Sequence, residues 1–210
     1  MVRKQGNWIL TICSTISKMA ALNRRGFLFG LSGLATLPLH ASAIPRYTEP
    51  TKYHNMEEYD MLLRPHHMLD IVSDHGKGII YEPHPYGHSL HEIAPKLLSK
   101  LEFKIKLVLQ ADDICKGCEH LLPGGQCKDV LAQLTPSPSK QAYNDVLDCR
   151  LFDHLSLEPG QVITFRKYLE RVNEKVPGIE KICTHPKEDQ IERLKGLEDG
   201  LVRLGIRKNS

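Results

Sequence analysis

Residues 111–130 read ADDICKGCEHLLPGGQCKDV and carry three cysteines, Cys115, Cys118 and Cys127. Two thiolates separated by two residues can bind one metal from a single tight turn. A third, brought back by Pro123-Gly124-Gly125, can reach the same ion or cluster at little loop-closure cost. Gly117 allows the sharp bend between the first two. A thioredoxin-type redox pair would follow a strand, open a long helix and need no third cysteine. Here Pro123 breaks any helix within a few residues of Cys118. A structural disulfide is the other alternative. The pattern points first to a bound metal or cluster.

The beginning of the chain bears on that chemistry. Asn23-Arg24-Arg25-Gly26-Phe27-Leu28 precedes an apolar stretch over residues 29–39 and then Ala41-Ser42-Ala43. These are the three parts of a twin-arginine export signal: a charged start, a short apolar core and a small-x-small cleavage site. Cleavage is expected after Ala43, and a start at Met19 would give a leader of more usual length. The expected destination is the periplasm, or export by the same route elsewhere. Twin-arginine export carries folded proteins, often ones already loaded with a cofactor. Of the six cysteines, Cys13 departs with the leader, and the odd number left cannot all pair in disulfides. Route and count both favour a preloaded metal centre.

The elements that must position this turn belong to a chain of 210 residues, 41% hydrophobic and 25% charged, an ordinary soluble composition. No apolar run reaches the ~20 residues of a membrane helix, so no stable span is expected after cleavage. The formal charge of +3 comes from the leader: residues 1–43 hold five basic residues and no acid, leaving 23 basic against 25 acidic. Nucleic acid is therefore not an expected partner. Residues 44–58, with Pro45 and Pro50, read as a tether, and residues 59–205 as one metal-binding domain.

Within that domain residues 59–63 predict a short strand, and Pro65 opens a helix with Met68, Ile71 and Val72 on one face. Gly76-Lys77-Gly78 ends it. A loop over residues 79–88 precedes a helix capped by Ser89 and running to about Leu101, with Ile93, Leu97, Leu98 and Leu101 as its stripe. Residues 104–109 predict a strand that delivers Asp112-Asp113 to the cysteine turn. Further helices are expected over residues 141–154, over 165–174 with Thr164 as cap, and from Pro186 to about Leu204. The stripe of the last is Ile191, Leu194, Leu197, Leu201 and Leu204. Val162-Ile163 adds a short strand. The class is α+β, predominantly helical with a small sheet.

Leu63-Arg64-Pro65-His66-His67-Met68-Leu69, taken with Asp112-Asp113-Ile114-Cys115 and Cys118, resembles domain of unknown function family 1284, a set of small bacterial and archaeal proteins. The similarity covers about residues 61–168, including the Leu-Glu-Pro-Gly turn at 157–160, and leaves residues 176–205 as a helical extension. The resemblance implies iron–sulfur binding and carries over no established reaction. The family's first motif usually continues Leu-Leu-Cys, and that cysteine would fall at Asp70 here. A replacement ligand is therefore expected. Cys183 ranks first, because Thr184-His185-Pro186 follows it at a helix start, where amide dipoles favour an anion. Asp70 ranks second, since carboxylates can ligate iron or zinc. Cys149 ranks third: it sits mid-helix among Leu147, Leu151 and Phe152, where a buried inert thiol is the commoner outcome.

His66 and His67 are consecutive, so on a helix their side chains diverge and cannot easily share one ion. One is expected to face the centre as ligand or hydrogen-bond donor while the other packs. His84, His88 and His91 could form a second metal site, but a solvated histidine-rich loop is the expected reading. Asp112-Asp113 could steer a cation, or simply cap the turn, with Asp113 expected to accept from the amides around Cys115. His120 and His185 flank cysteines and are possible nitrogen ligands. There is no Ser-His-Asp order, phosphate loop or dinucleotide fingerprint. Three functions follow. The first is an exported iron–sulfur protein for electron transfer or redox sensing, with a redox partner. The second is a structural-zinc domain that binds another protein. The third is a metal-dependent enzyme with an open coordination position, using His66 or His67 as acid/base. Spacing does not separate iron from zinc, and the export route leans toward iron.

Overall fold

The computed structural model describes residues 58–182, 187 and 189–208. The expected export signal, nearly all of the expected tether and Cys183 lie outside the described residues. Three short strands form one sheet in chain order: β1 (Met61–Leu63), β2 (Lys104–Leu107) and β3 (Val162–Thr164). β1 runs parallel to β2, with Met61 opposite Ile105 and Leu63 opposite Leu107. β3 is antiparallel to β2, with Ile163 opposite Ile105. Alternation sets the buried face: Met61 and Leu63 point inward from β1, Ile105 and Leu107 from β2. A parallel pair needs a long crossover, here supplied by α1 (Pro65–Lys77) and α2 (Leu90–Ser99). Then come α3 (Lys140–Leu155), α4 (Phe165–Glu174) and α5 (Gln190–Arg203). The described residues form the expected α+β domain. No helix among them is long and apolar enough to cross a membrane.

Local chemistry sets most boundaries. Pro65 occupies the first turn of α1, where a missing N–H costs nothing. Gly78, at φ 74°, ends that helix in the left-handed conformation, with its amide on the carbonyls of Asp74 and His75. Ser139 caps α3 through the Ala142 amide, and Thr164 caps α4 through the Lys167 amide. Ser89 behaves differently from the expectation. Its hydroxyl donates to the Lys116 carbonyl at 3.0 Å instead of capping α2, because the cysteine turn lies within reach. Helix α2 also ends two residues early, at Ser99.

The final helix differs more. Its described start is capped by Asp189, which accepts from the amides of Ile191 and Glu192. Ile191, expected in the apolar stripe, is 79% exposed. The buried face is Arg193, Gly196, Leu197, Gly200 and Leu201. The reason is that α5 meets α1 through backbone. A Cβ on Gly76 would lie 1.9 Å from the Gly196 carbonyl oxygen, and one on Gly200 would lie 2.1 Å from that of Val72. Glycine sets the contact and turns the helix, so the leucine stripe is not the deciding feature.

Gly76→Ala is accordingly expected to destabilise the fold by at least the ~1–3 kcal/mol of an overpacked core, since a carbonyl cannot swing aside as a side chain can. Urea denaturation measures it. A loss under about 1 kcal/mol would mean that the two helices separate cheaply.

Candidate metal centre

Because β1 and β2 are parallel, both strands end at the same edge of the sheet, Leu63 beside Leu107. That edge brings the two motifs together: β1 runs into Arg64 and α1, while β2 runs toward Asp112 and the 3₁₀ turn Asp113–Cys115. Asp112, 4% exposed, joins them. Its Oδ2 accepts from the Arg64 amide at 2.8 Å and is 2.7 Å from His67 Nδ1. Its Oδ1 accepts from the amides of Ile114 at 3.1 Å and Cys115 at 3.3 Å. The amide-accepting role expected of Asp113 thus falls to Asp112. Asp113 instead accepts from the Leu62 amide at 2.9 Å and pairs with Lys116, because one residue further on the carboxylate faces β1.

Burial opposes the charge on Asp112, but His67 and the amide donors outweigh it and hold the carboxyl at about 2. Burial likewise opposes a charged His67, and Asp112 more than offsets it, so the imidazole sits above its ordinary value.

A second buried carboxylate, Asp148, holds the rest of the first motif. It is 0% exposed on α3 and takes the Arg64 Nε–H at 2.5 Å and the His66 amide at 2.9 Å, and lies 2.8 Å from His66 Nδ1. Arg64 Nη2 also reaches Asp145 at 2.7 Å. Burial penalises the Arg64 cation and the Asp148 anion; Asp148 and then Asp145 more than offset it for the arginine, which rises, and His66 and then Arg64 more than offset it for the carboxyl, which falls. The Tyr168 hydroxyl closes the arrangement by donating to the Pro65 carbonyl at 2.7 Å. Sequence reasoning assigned no role to Asp148 or Asp145. The signal was present: Asp148 shares a helical face with Leu151, Phe152 and Leu155, and an acid on a buried stripe demands a partner.

The two consecutive histidines therefore diverge. His66, 4% exposed, packs on Asp148, and His67 faces Asp112 and the cysteine turn, their ring centroids 4.2 Å apart. Cys115, Cys118 and Cys127 are all half-buried and all free. Burial, then the Asp112 carboxylate, pushes the Cys115 thiol up to about 12, so it is protonated at neutral pH. The Cys118 amide donates to the Cys115 carbonyl, and Leu121 pairs with Cys127 across the Pro-Gly-Gly turn. The Cys127 amide donates to Gln141 Oε1, whose Nε2 reaches Asp145, so the turn is tied to Arg64 by a short relay.

Two expected replacement ligands are engaged elsewhere. Cys149 is disulfide-bonded, not the inert thiol expected in mid-helix. Asp70 accepts from Arg193 Nη2 at 2.5 Å, a partner contributed by α5. The first-ranked candidate, Cys183, falls outside the described residues. Among the described residues, no three of His, Cys, Asp and Glu stand together as a ligand set. The free thiols suit a metal or cluster in kind, and as placed they do not form a ready cage.

The histidine loop lies against this turn. The Glu119 amide donates to the Tyr86 carbonyl and the Ser89 amide to that of Ile114, both at 2.9 Å. Gly87 and Gly117 meet so closely that a Cβ on either would lie 2.8 Å from the other's carbonyl oxygen. Tyr86 sits edge-on to His120 and His84 stacks on His88. His91 lies beside Glu92.

A family model described as "Protein of unknown function (DUF1284)" matches residues 82–187. The match takes in the cysteine turn, Asp145, Asp148 and Cys183, and begins after the motif at residues 63–69. No curated protein and no solved structure matches the chain.

Proposed function

The chain belongs to the DUF1284 family, and from that premise we propose that it is an exported, cysteine-ligated metal-binding protein. It holds an iron–sulfur cluster and works in electron transfer or redox sensing with a partner protein. One observation carries the reading: Cys149 is disulfide-bonded while Cys115, Cys118 and Cys127, gathered on one short turn, are all free. Neighbouring thiols in an oxidising compartment stay unpaired when a metal occupies them, and a centre loaded before export provides that protection. When bound, a cluster supplies one-electron chemistry. The chain's own part is to supply thiolates, to release the Cys115 proton, and to hold the turn against His67 through Asp112.

A structural zinc is the second reading. It is favoured by the histidine loop lying on the turn, since zinc accepts mixed cysteine and histidine ligands. The site would then stabilise a surface for a protein partner.

The test is iron, sulfide and zinc analysis, with a visible spectrum, of protein purified without oxygen from the periplasmic fraction of its host. Brown protein containing iron and sulfide is expected, and Cys115→Ser or Cys118→Ser should each bleach it. Colourless protein with stoichiometric zinc would overturn the cluster in favour of zinc. Recovery only from the cytoplasm would overturn export.

A further inference from the structure

We propose that His88 is the fourth ligand of the metal centre, its imidazole completing the set begun by three thiolates. That role presupposes that the cysteine turn is a metal centre, and it holds for a cluster or for zinc, since imidazole ligates iron and zinc alike. The cysteine count leaves the fourth position without a thiolate. Cys149 is disulfide-bonded while Cys115, Cys118 and Cys127 are free, so the partner of Cys149 is Cys13 or Cys183. In an exported chain Cys13 departs with the leader, and no free thiol remains beyond the three on the turn. Asp70 is held by Arg193.

Backbone contacts fix His88 against that turn. Before it, Gly87 meets Gly117, where a Cβ on either would lie 2.8 Å from the other's carbonyl oxygen. After it, the Ser89 amide donates to the Ile114 carbonyl at 2.9 Å, and the Ser89 hydroxyl to that of Lys116 at 3.0 Å. His88 is thereby held across from Cys115 and Lys116. Burial, and then the charges of His84, Lys140 and His67, lower the basicity of its ring. The ring therefore lies toward the first turns of α1 and α3. His67 and Gln141 reach the cysteine turn from the same two places, through Asp112 and the Cys127 amide.

An orphaned nitrogen is the independent sign of a ligand. Nδ1 of His88 is buried and makes no hydrogen bond with any other described residue. Folded proteins rarely leave such an atom unsatisfied. The neighbouring histidines differ. His84 Nδ1 accepts from the Tyr86 amide at 3.1 Å. The unbonded buried nitrogens of His91 and His120 belong to rings that stand beside Glu92 and Glu119. A neutral His88 ring with its proton on Nε2 offers the Nδ1 lone pair to a metal. No three of His, Cys, Asp and Glu stand together among the described residues, so the ligands close on the metal as it binds.

The experiment uses the full chain loaded in its host and purified without oxygen. An iron–sulfur centre is reduced and read by pulsed EPR for a directly coupled imidazole nitrogen. A zinc centre is read by X-ray absorption for a shell of about three sulfurs and one nitrogen. Wild type should show that nitrogen. His88→Ala should lose it and hold metal at least about tenfold less tightly against a chelator, since losing even a hydrogen-bond partner of a ligand costs that much. His88→Cys should keep the metal and lose the nitrogen, which separates ligation from folding and carries the test should His88→Ala fail to fold. His91→Ala should change neither readout. Wild type without metal would overturn the metal centre and the His88 assignment together. Wild-type metal with no imidazole nitrogen, a nitrogen that persists in either His88 variant, or its loss in His91→Ala would overturn the His88 assignment alone and leave the centre standing.

Discussion

Asp112→Ala is expected to lower the unfolding free energy by about 3–5 kcal/mol, the range for removing one partner from a buried ion pair. The carboxylate has no substitute: four donors from two chain segments converge on it, and the variant leaves the Arg64 amide and His67 Nδ1 without their acceptor. The pH profile gives a second readout. The folded Asp112 value of about 2 lies below its ordinary 3.8. The carboxylate therefore contributes about 2 kcal/mol that is complete above the ordinary range and is lost as pH falls from about 4 toward 2. His67 has the opposite sign. Its value is raised, so its contribution is full below 6.5 and fades as pH rises through the folded value. The wild-type profile should accordingly fall on both sides, and Asp112→Ala should flatten both limbs because they belong to one pair. Urea denaturation across a pH series measures this. A loss under about 1 kcal/mol, or an unchanged acid limb, would show that Asp112 does not join the two motifs.

Asp148→Ala should cost a similar amount, about 3–5 kcal/mol, through another network. It strips the buried Arg64 guanidinium of its Nε partner and leaves the His66 amide and Nδ1 unsatisfied. Asp145 is the internal control. It also holds Arg64, but its side chain is 43% exposed, so Asp145→Ala should cost about 1 kcal/mol or less, as exposed ion pairs do. Thermal and chemical unfolding of the two variants settles the ranking. Equal losses would show that the outer carboxylate anchors α1 as firmly as the buried one and would overturn that ranking.

The family match begins at residue 82, yet the geometry of the matched segment depends on residues before it. The turn at Asp113–Cys115 is held by a carboxylate that also holds Arg64 and His67, and Asp113 reaches back to the Leu62 amide. A fragment beginning at residue 82 would lose β1, the parallel partner of β2, and with it the edge on which the turn is built.

What the amino-acid sequence determined by itself was local. Pro65 at the head of α1, Gly78 at its end and Thr164 at the start of α4 act through atoms within four residues, so composition and spacing reveal them. The three-cysteine turn is legible for the same reason, since Cys115, Cys118 and Cys127 share one short stretch. Tertiary structure decided what depends on a distant partner. Asp112 and Asp113 are chemically alike neighbours, and only the packing of β1 and α1 makes the first accept from Arg64 across 48 positions in the chain. Asp148 is an anomalous acid on a helix until Arg64 arrives from 84 positions away. Ile191 follows the apolar period of α5 yet stays exposed, because the glycines at 196 and 200 bring α1 into backbone contact and fix the rotation of the helix. Periodicity and capping are short-range properties of one segment. The partner of a buried charge and the facing of a close-packed helix are properties of two segments, and they exist only once the chain has folded.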